Sequence, residues 1–534
     1  MASFEVLWQN ACAEEPDPKG AAGHLMAALA GLLDAAQVEH EKLEAGAVFL
    51  VDLSFLGVRG MDFNVVMISH PPKTEDDESR QAGQLLEYRM VVKSDGLCFH
   101  IVLSDNPPDV GSDALIPSSV RVYGPDLQRL FASPVPASVL LGIIRRQVPL
   151  QRLCPFNTTR VARGAMFRGR RDELADLTQD LQTNFVISGA RRIGKTSLLT
   201  RCYDNLRTRP EYRDRVHLFN CIPWGNVNDC FHRLAHELEP KGELRISYGP
   251  RATSHQYLPR NISYLLQSHS RRGARPLLLF FDELDRVVET DARNGWPFFK
   301  VLAEAADQQW IRAVFAGYRS MGLLSSGKTV REPALATPAP DSPFFGRLKE
   351  LELRPLGRQE CDTLVAEPFH RMEITVERRD AIQERIWQQT LGHPFFVQLY
   401  GEGLFETGSR RTAGAVGLED VDAIEQGASL NKFVHEYFLE NTIQKGQPVA
   451  TEQLCTLLLA DEDDGQTWAE ADFLQALAAA KRPAGLLEVH QALSYLRSAG
   501  IFAYQNGGYR FALPLLKDVL RRAYPNIQAV LPSV

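Results

Sequence analysis

Apolar and polar positions change their spacing several times along the 534 residues, and each change marks a different kind of element. Leu25, Leu29, Leu32 and Leu33 recur at helical spacing in GAAGHLMAALAGLLDAAQVEHEKL, which predicts an alanine-rich helix over 20–43. Runs rich in β-branched and aromatic residues follow: AVFLVDLSFLG, DFNVVMIS, EYRMVVK and LCFHIVL. They predict strands, with Ser94-Asp95-Gly96 as a hairpin turn between the last two. SVRVYG reads as one more strand before a helix at PDLQRLF, so residues 1–144 read as a small α/β or α+β domain. A segment holding Arg145, Arg146, Arg152, Arg160, Arg163, Arg168, Arg170 and Arg171 has no acid before Asp172, and 145–166 reads as a linker. From 167 to 355 helix and strand patterns alternate, as a parallel sheet with crossover helices requires. Residues 356–445 turn helical, and 446–534 read helix, helix, helix and then two short strands around Asn506-Gly507-Gly508, a winged-helix order.

Composition narrows the class. Hydrophobic residues make up 44% and charged residues 23%, as in ordinary globular protein, and no repeat of fixed period points to a solenoid. The apolar runs fall short of the roughly 18–20 residues that span a bilayer, and the N-terminal stretch lacks the basic start and apolar core of a signal peptide. Eight cysteines without a CxxC pair suit reduced thiols, and the expected location is cytoplasmic. The net charge of -7 is uneven, with 11 Lys/Arg against 20 Asp/Glu in 1–150 and 7 against 9 in 446–534, so no polyanion partner is implied.

The chemistry concentrates in FVISGARRIGKTSLL, residues 185–199. Gly189, Ala190, Arg191, Arg192, Ile193, Gly194, Lys195, Thr196 and Ser197 complete a G-x-x-x-x-G-K-[ST] loop between an apolar strand and a helix. Backbone N–H groups of such a loop wrap a phosphate at a helix N-terminus, whose dipole already favours negative charge. Lys195 is then expected on the β- and γ-phosphates of ATP and Thr196 on Mg²⁺. The partner motif is RPLLLFFDELDRV, 275–287, a buried strand ending in an acid pair. Asp282 is expected in the Mg²⁺ shell, Glu283 as general base, and Asp285 as a cap of the following helix. WIRAVFAGYR delivers Arg319 toward the same edge as a γ-phosphate sensor. Arg347, just before another strand, is a candidate finger for a neighbouring subunit's nucleotide, against the alternative of an intramolecular ion pair.

Other constellations are weaker. His232 and His236 share a helix face near Cys221 and Cys230, but the spacing matches no common zinc site. The run Glu75-Asp76-Asp77-Glu78 reads as a solvated polar loop, and Glu87-Tyr88-Arg89 carries the wrong base for a metal-dependent nuclease. The presumed recognition helix, 486–500, offers Glu488, His490, Gln491, Ser494 and Arg497, with one permanent cation among them, so a docking role is favoured over DNA reading.

FRGRRDELADL, GARRIGKTSLL, LLLFFDELD, SPFFGRLKELELRPL and LGHPFFVQL together resemble the P-loop ATPases of the STAND class, especially the archaeal-type branch of that AAA-like group. The resemblance spans about 167–525. It implies an AAA/STAND-like parallel sheet with a helical lid and a C-terminal winged helix. It also implies that Gly392-His393-Pro394 packs beside the adenine and ribose, that Phe167, Gly169 and Arg170 shape the adenine pocket, and that Arg319 senses phosphate. Many relatives close the site with a winged-helix histidine, whereas YRFALPLLKDVL has none. The C-terminal repeats of receptor relatives are also missing, so a sensor or effector is expected in 1–150 or in a partner. The implied function is a slow ATPase switch, ADP-bound when closed and ATP-bound when open, in prokaryotic conflict or defence signalling, acting by self-association or through a protein partner. The alternatives are a DNA-binding ATPase of the origin-recognition or helicase-loader kind and an ATP-stabilised adaptor that does not hydrolyse.

Overall fold

The structure is a computed structural model that describes residues 3–33, 36–58, 61, 64–92, 96–106, 119–238, 257–272, 275–318, 320–326, 341–412, 414–434, 451–462 and 466–524. The chain divides into two compact units. The first holds Met1–Arg168, Asp362–Ile382 and Gln398–Val421, and the second Gly169–Cys361, Gln383–Val397 and Asp422–Val534. The helical stretch expected over 356–445 is therefore shared between them.

In the first unit a five-stranded mixed sheet runs in the order β1 (Ala36–Leu43), β2 (Gly46–Asp52), β3 (Asn64–Ser69), β4 (Cys98–Val102), β5 (Ser119–Val122). The pairs β1–β2 and β2–β3 are antiparallel, and β3–β4 and β4–β5 are parallel. Two local expectations are corrected. The first helix ends at Leu33, and AQVEHEKL is an edge strand whose alternating charges carry no apolar period. EYRMVVK is not a strand, because the helix Glu75–Val91 runs through it, so the strands on either side are parallel and no hairpin joins them. The acidic run is that helix's first turn, where negative charge meets the positive end of the dipole. Thr74 caps it by accepting the Asp77 N–H at 3.2 Å, and Gln81, Leu85 and Tyr88 are buried at helical spacing.

Two arginines of the expected linker, and one just after it, are engaged within this unit. Arg145 pairs with Glu373 at 2.6 Å, Arg163 with Asp52 at 3.4 Å, and Arg168 with Glu367. Phe156 is fully buried 5.4 Å from the Phe369 ring, and Gly401 lies so close that a Cβ there would sit 2.3 Å from the Phe156 ring.

The second unit is built on five parallel strands: β6 (Asn184–Gly189), β7 (Val216–Asn220), β8 (Leu277–Asp282), β9 (Ile311–Ala316) and β10 (Leu348–Leu353). Their order is β10-β6-β9-β8-β7. Every residue of β8 and β9 is buried, which explains their continuous apolar runs. One face of the sheet packs an aromatic layer in which Phe281 stacks on Phe219 at 5.0 Å and Phe315 meets Phe344 edge-on, also at 5.0 Å. The C-terminal part folds as helices Thr451–Asp461, Glu470–Ala479 and Leu486–Ser498, then the hairpin β11 (Phe502–Gln505) and β12 (Gly508–Phe511), then helix Pro514–Ala523. Asn506 and Gly507 both adopt positive φ in the two-residue hairpin loop, as the strand twist demands.

Candidate phosphate-binding site

Parallel strands place their carboxyl ends at one edge of the sheet, and the loop after β6 begins there. Gly189 (φ 145°) and Gly194 (φ 103°) take conformations that side-chain-bearing residues rarely adopt, and a Cβ on Gly189 would stand 2.8 Å from the Leu353 carbonyl. Arg192 also lies at positive φ, 59°. The helix Lys195–Arg207 then starts directly from Gly194. Lys195 is buried, and its Nζ donates to the carbonyls of Gly189 (2.9 Å) and Ala190 (3.0 Å), folding the ammonium back over the loop. Burial pushes its pKa down, while Asp285, Glu283 and Asp282 push it up.

Asp282 ends β8 with its carboxylate buried and accepts a hydrogen bond from the Thr196 side chain. Desolvation holds its pKa above the ordinary carboxylate range. A hydroxyl and a carboxylate in contact are the two oxygen donors with which a P-loop holds Mg²⁺, the phosphates and water completing the octahedron, so the residues fit the ion. No group of three His, Cys, Asp or Glu ready for a metal occurs among the described residues, and none is needed for that coordination. Glu283 follows at φ 55°, turning the chain sharply out of the strand with its side chain open to solvent. Partial desolvation and the adjacent Asp282 charge raise its pKa, the direction that suits a proton acceptor working near neutrality.

The loop is braced from several sides of the second unit. Arg170, in the left-handed region, donates from Nη2 to the Ile193 carbonyl at 3.2 Å and pairs with Glu173 at 3.1 Å. Gly169 leaves room for Leu356 and Glu360. Gly392 accepts the Leu356 N–H at 2.9 Å, and a Cβ there would lie 2.2 Å from the Leu356 carbonyl. His393 is buried, and Pro394 opens the helix Pro394–Arg410, from which Phe395 stacks 4.4 Å beneath the Arg192 guanidinium. Gly500, at φ 73°, backs onto the loop so closely that a Cβ there would lie 2.4 Å from that of Ala190.

This set of glycine loop, lysine, threonine and acid pair, with β9 between the loop strand and the acid strand, decides the fold. The second unit has the fold of a P-loop NTPase. No protein-family model and no curated protein matches the chain. Among solved structures it is similar to a Walker-type ATPase of Pyrococcus abyssi, at 17% identity over 66% of this chain and 96% of that one, with a TM-score of 0.47. It is similar to Thermotoga maritima RuvB at 16% identity over 68% of this chain and 95% of that one, TM-score 0.34. A signal transduction ATPase with numerous domains (STAND) from Pyrococcus horikoshii, bearing a tetratricopeptide repeat sensor, matches at 13% identity over 67% of this chain and 42% of that one, TM-score 0.27.

Other expected residues stand elsewhere. Arg347 precedes β10, whose first residue pairs with Asn184 at the start of β6, so it lies at the sheet edge away from the glycine-rich loop. It forms a 2.6 Å ion pair with Asp307, both side chains half exposed, which is the intramolecular alternative. Phe167 belongs to the first unit, and Arg319 falls outside the described residues. Cys221 and Cys230 sit in the hydrophobic core with their thiols pushed up by burial, whereas His232 and His236 are exposed, so they do not converge on zinc. The sequence reading missed the Arg192–Phe395 stack, the Gly500 contact and the partners of Asp285. No described helix is long and apolar enough to cross a membrane.

Burial also sets a pH response. His393 is pushed down to about 3, and His217 and His100 each to about 4, because burial penalises the imidazolium. Their unfolded counterparts titrate near 6.5, so the unfolded chain binds more protons below that pH. The stability these neutral rings contribute is full above pH 6.5 and is lost as pH falls toward 3–4. Urea midpoints should therefore drop steadily below about pH 6.5, and His393→Gln should flatten the slope. An unchanged slope would show that His393 is not held neutral.

Proposed function

We propose that the protein binds Mg-ATP at this loop and hydrolyses it slowly as a regulatory switch of the STAND kind, in prokaryotic conflict or defence signalling. The observation that carries the ATPase reading is the convergence of Lys195, Thr196, Asp282 and Glu283 at one edge of the sheet. Lys195 would neutralise the β- and γ-phosphates, and Thr196 with Asp282 would hold Mg²⁺, whose bound form supplies charge neutralisation at the phosphoryl group. Glu283 would orient and deprotonate the attacking water, with Arg319 reading the γ-phosphate. Gly169, Arg170 and Pro394 remain our candidates for framing the base. The Ala190–Gly500 contact supports a switch reading, because a phosphate entering the loop meets a C-terminal domain already resting on it.

The C-terminal segment, which we take as a winged helix, argues against a DNA-binding ATPase. On its presumed recognition helix Glu488 accepts from Thr451, His490 lies 2.9 Å from Glu470, and Arg497 lies over Tyr504 at 5.9 Å. Its N-terminal turn exposes two large apolar side chains, Leu486 and Leu487, which suit a protein contact better than a base edge. Light scattering on the full chain should give a larger mass with a non-hydrolysable ATP analogue than with ADP. Neither nucleotide should produce duplex binding at physiological salt. Salt-sensitive, sub-micromolar duplex binding that Arg497→Ala removes would instead establish the DNA-binding reading.

A further inference from the structure

Asp285 completes Asp282-Glu283-Leu284-Asp285 yet has no part in the chemistry described above. Its Oδ2 accepts the backbone N–H of Tyr318 at 2.8 Å, and its Oδ1 accepts that of Ser320 at 2.7 Å. The two donors flank position 319 in the sequence, just beyond β9. Further bonds join the same two stretches. Leu284 N–H donates to the Ala316 carbonyl at 3.1 Å, and Ser320 Oγ donates to Glu289 Oε1 at 2.7 Å, one turn along the helix Asp285–Arg293. A Cβ on Gly317 would meet the Met321 methyl at 2.6 Å and Asp285 Oδ2 at 3.1 Å, so a side chain there would have to displace Met321. The Lys195 ammonium lies 5.9 Å from the Tyr318 ring centroid, so the held segment borders the phosphate loop.

We propose that Asp285 is a positioning residue whose two carboxylate oxygens fix the chain on both sides of Arg319 and so couple phosphate sensing after β9 to the acid pair after β8. The inference rests on the ATPase reading above. A carboxylate is required because it accepts at both oxygens, whereas an amide of the same shape offers one acceptor and sets an N–H against the second backbone N–H.

The test compares the full-length parent with Asp285→Asn, Arg319→Ala and the double variant, by Mg-ATP turnover, nucleotide affinity and amide hydrogen exchange. In the parent, the Tyr318 and Ser320 amides should be protected although they lie outside regular structure, and Asp285→Asn should speed their exchange by about tenfold or more. Asp285→Asn should lower kcat by about tenfold with nucleotide Kd within about threefold of the parent. The double variant should be no slower than the slower single one, because both substitutions disable one arrangement. Exchange at the unprotected rate in the parent overturns the proposal without any variant being needed. Additive losses, or unchanged kcat in Asp285→Asn, overturn it while the ATPase reading stands. A parent that never binds ATP overturns that reading and the coupling with it.

Discussion

Lys195→Ala should abolish nucleotide binding by the full-length protein. The ammonium is buried in the loop, bonded to two of its carbonyls, and is the cation best placed to meet two anionic phosphates in a desolvated cradle. Removing it leaves those phosphates facing Asp282 and Glu283 with their strongest counter-charge gone. A ligand that binds only the folded chain at 100 times its Kd stabilises it by about 2.7 kcal/mol, so the parent should show a rise in melting temperature with Mg-ATP that the variant lacks. Calorimetry checks the same point. Unchanged heats and an unchanged melting shift would remove the phosphate role of the loop.

Glu283→Gln should separate binding from chemistry. The amide keeps the volume and the left-handed turn but accepts no proton, so nucleotide affinity should stay near the parent value while phosphate release falls by on the order of 10² or more. The raised pKa of Glu283 adds a second signature. Turnover should decline as pH falls through a value above the ordinary glutamate range, and Gln should remove that limb of the profile. A Gln variant that turns over at the parent rate would assign the water to another group.

The phosphate loop and the acid strand were legible because their signals are local. A glycine at a forbidden φ, a lysine that begins a helix and an apolar run ending in acids depend on a few consecutive residues. The N-terminal sheet was less so. EYRMVVK has strand-like composition, yet the Thr74 cap some thirteen residues upstream and the burial of Leu85 and Tyr88 commit it to a helix. AQVEHEKL became a strand because an edge position tolerates charge on both faces. The partners of Asp285, Arg192 and Gly500 are long-range contacts that no spacing encodes. Sequence position makes Asp285 a helix cap, but Leu284 holds the cap position, and Asp285, the first helical residue, spends both carboxylate oxygens on the Tyr318 and Ser320 amides.

We propose that ATP is cleaved at the Lys195–Glu283 site. Single-turnover hydrolysis, with the full-length protein in excess over labelled ATP and Mg²⁺ present, tests it most directly. ADP should form completely in one slow phase in the parent, Glu283→Gln should retain bound ATP uncleaved, and Lys195→Ala should leave ATP free in solution. Bound ATP recovered intact from the folded parent would show that the site does not cleave it, and ADP formed at the parent rate by either variant would assign the chemistry to other residues.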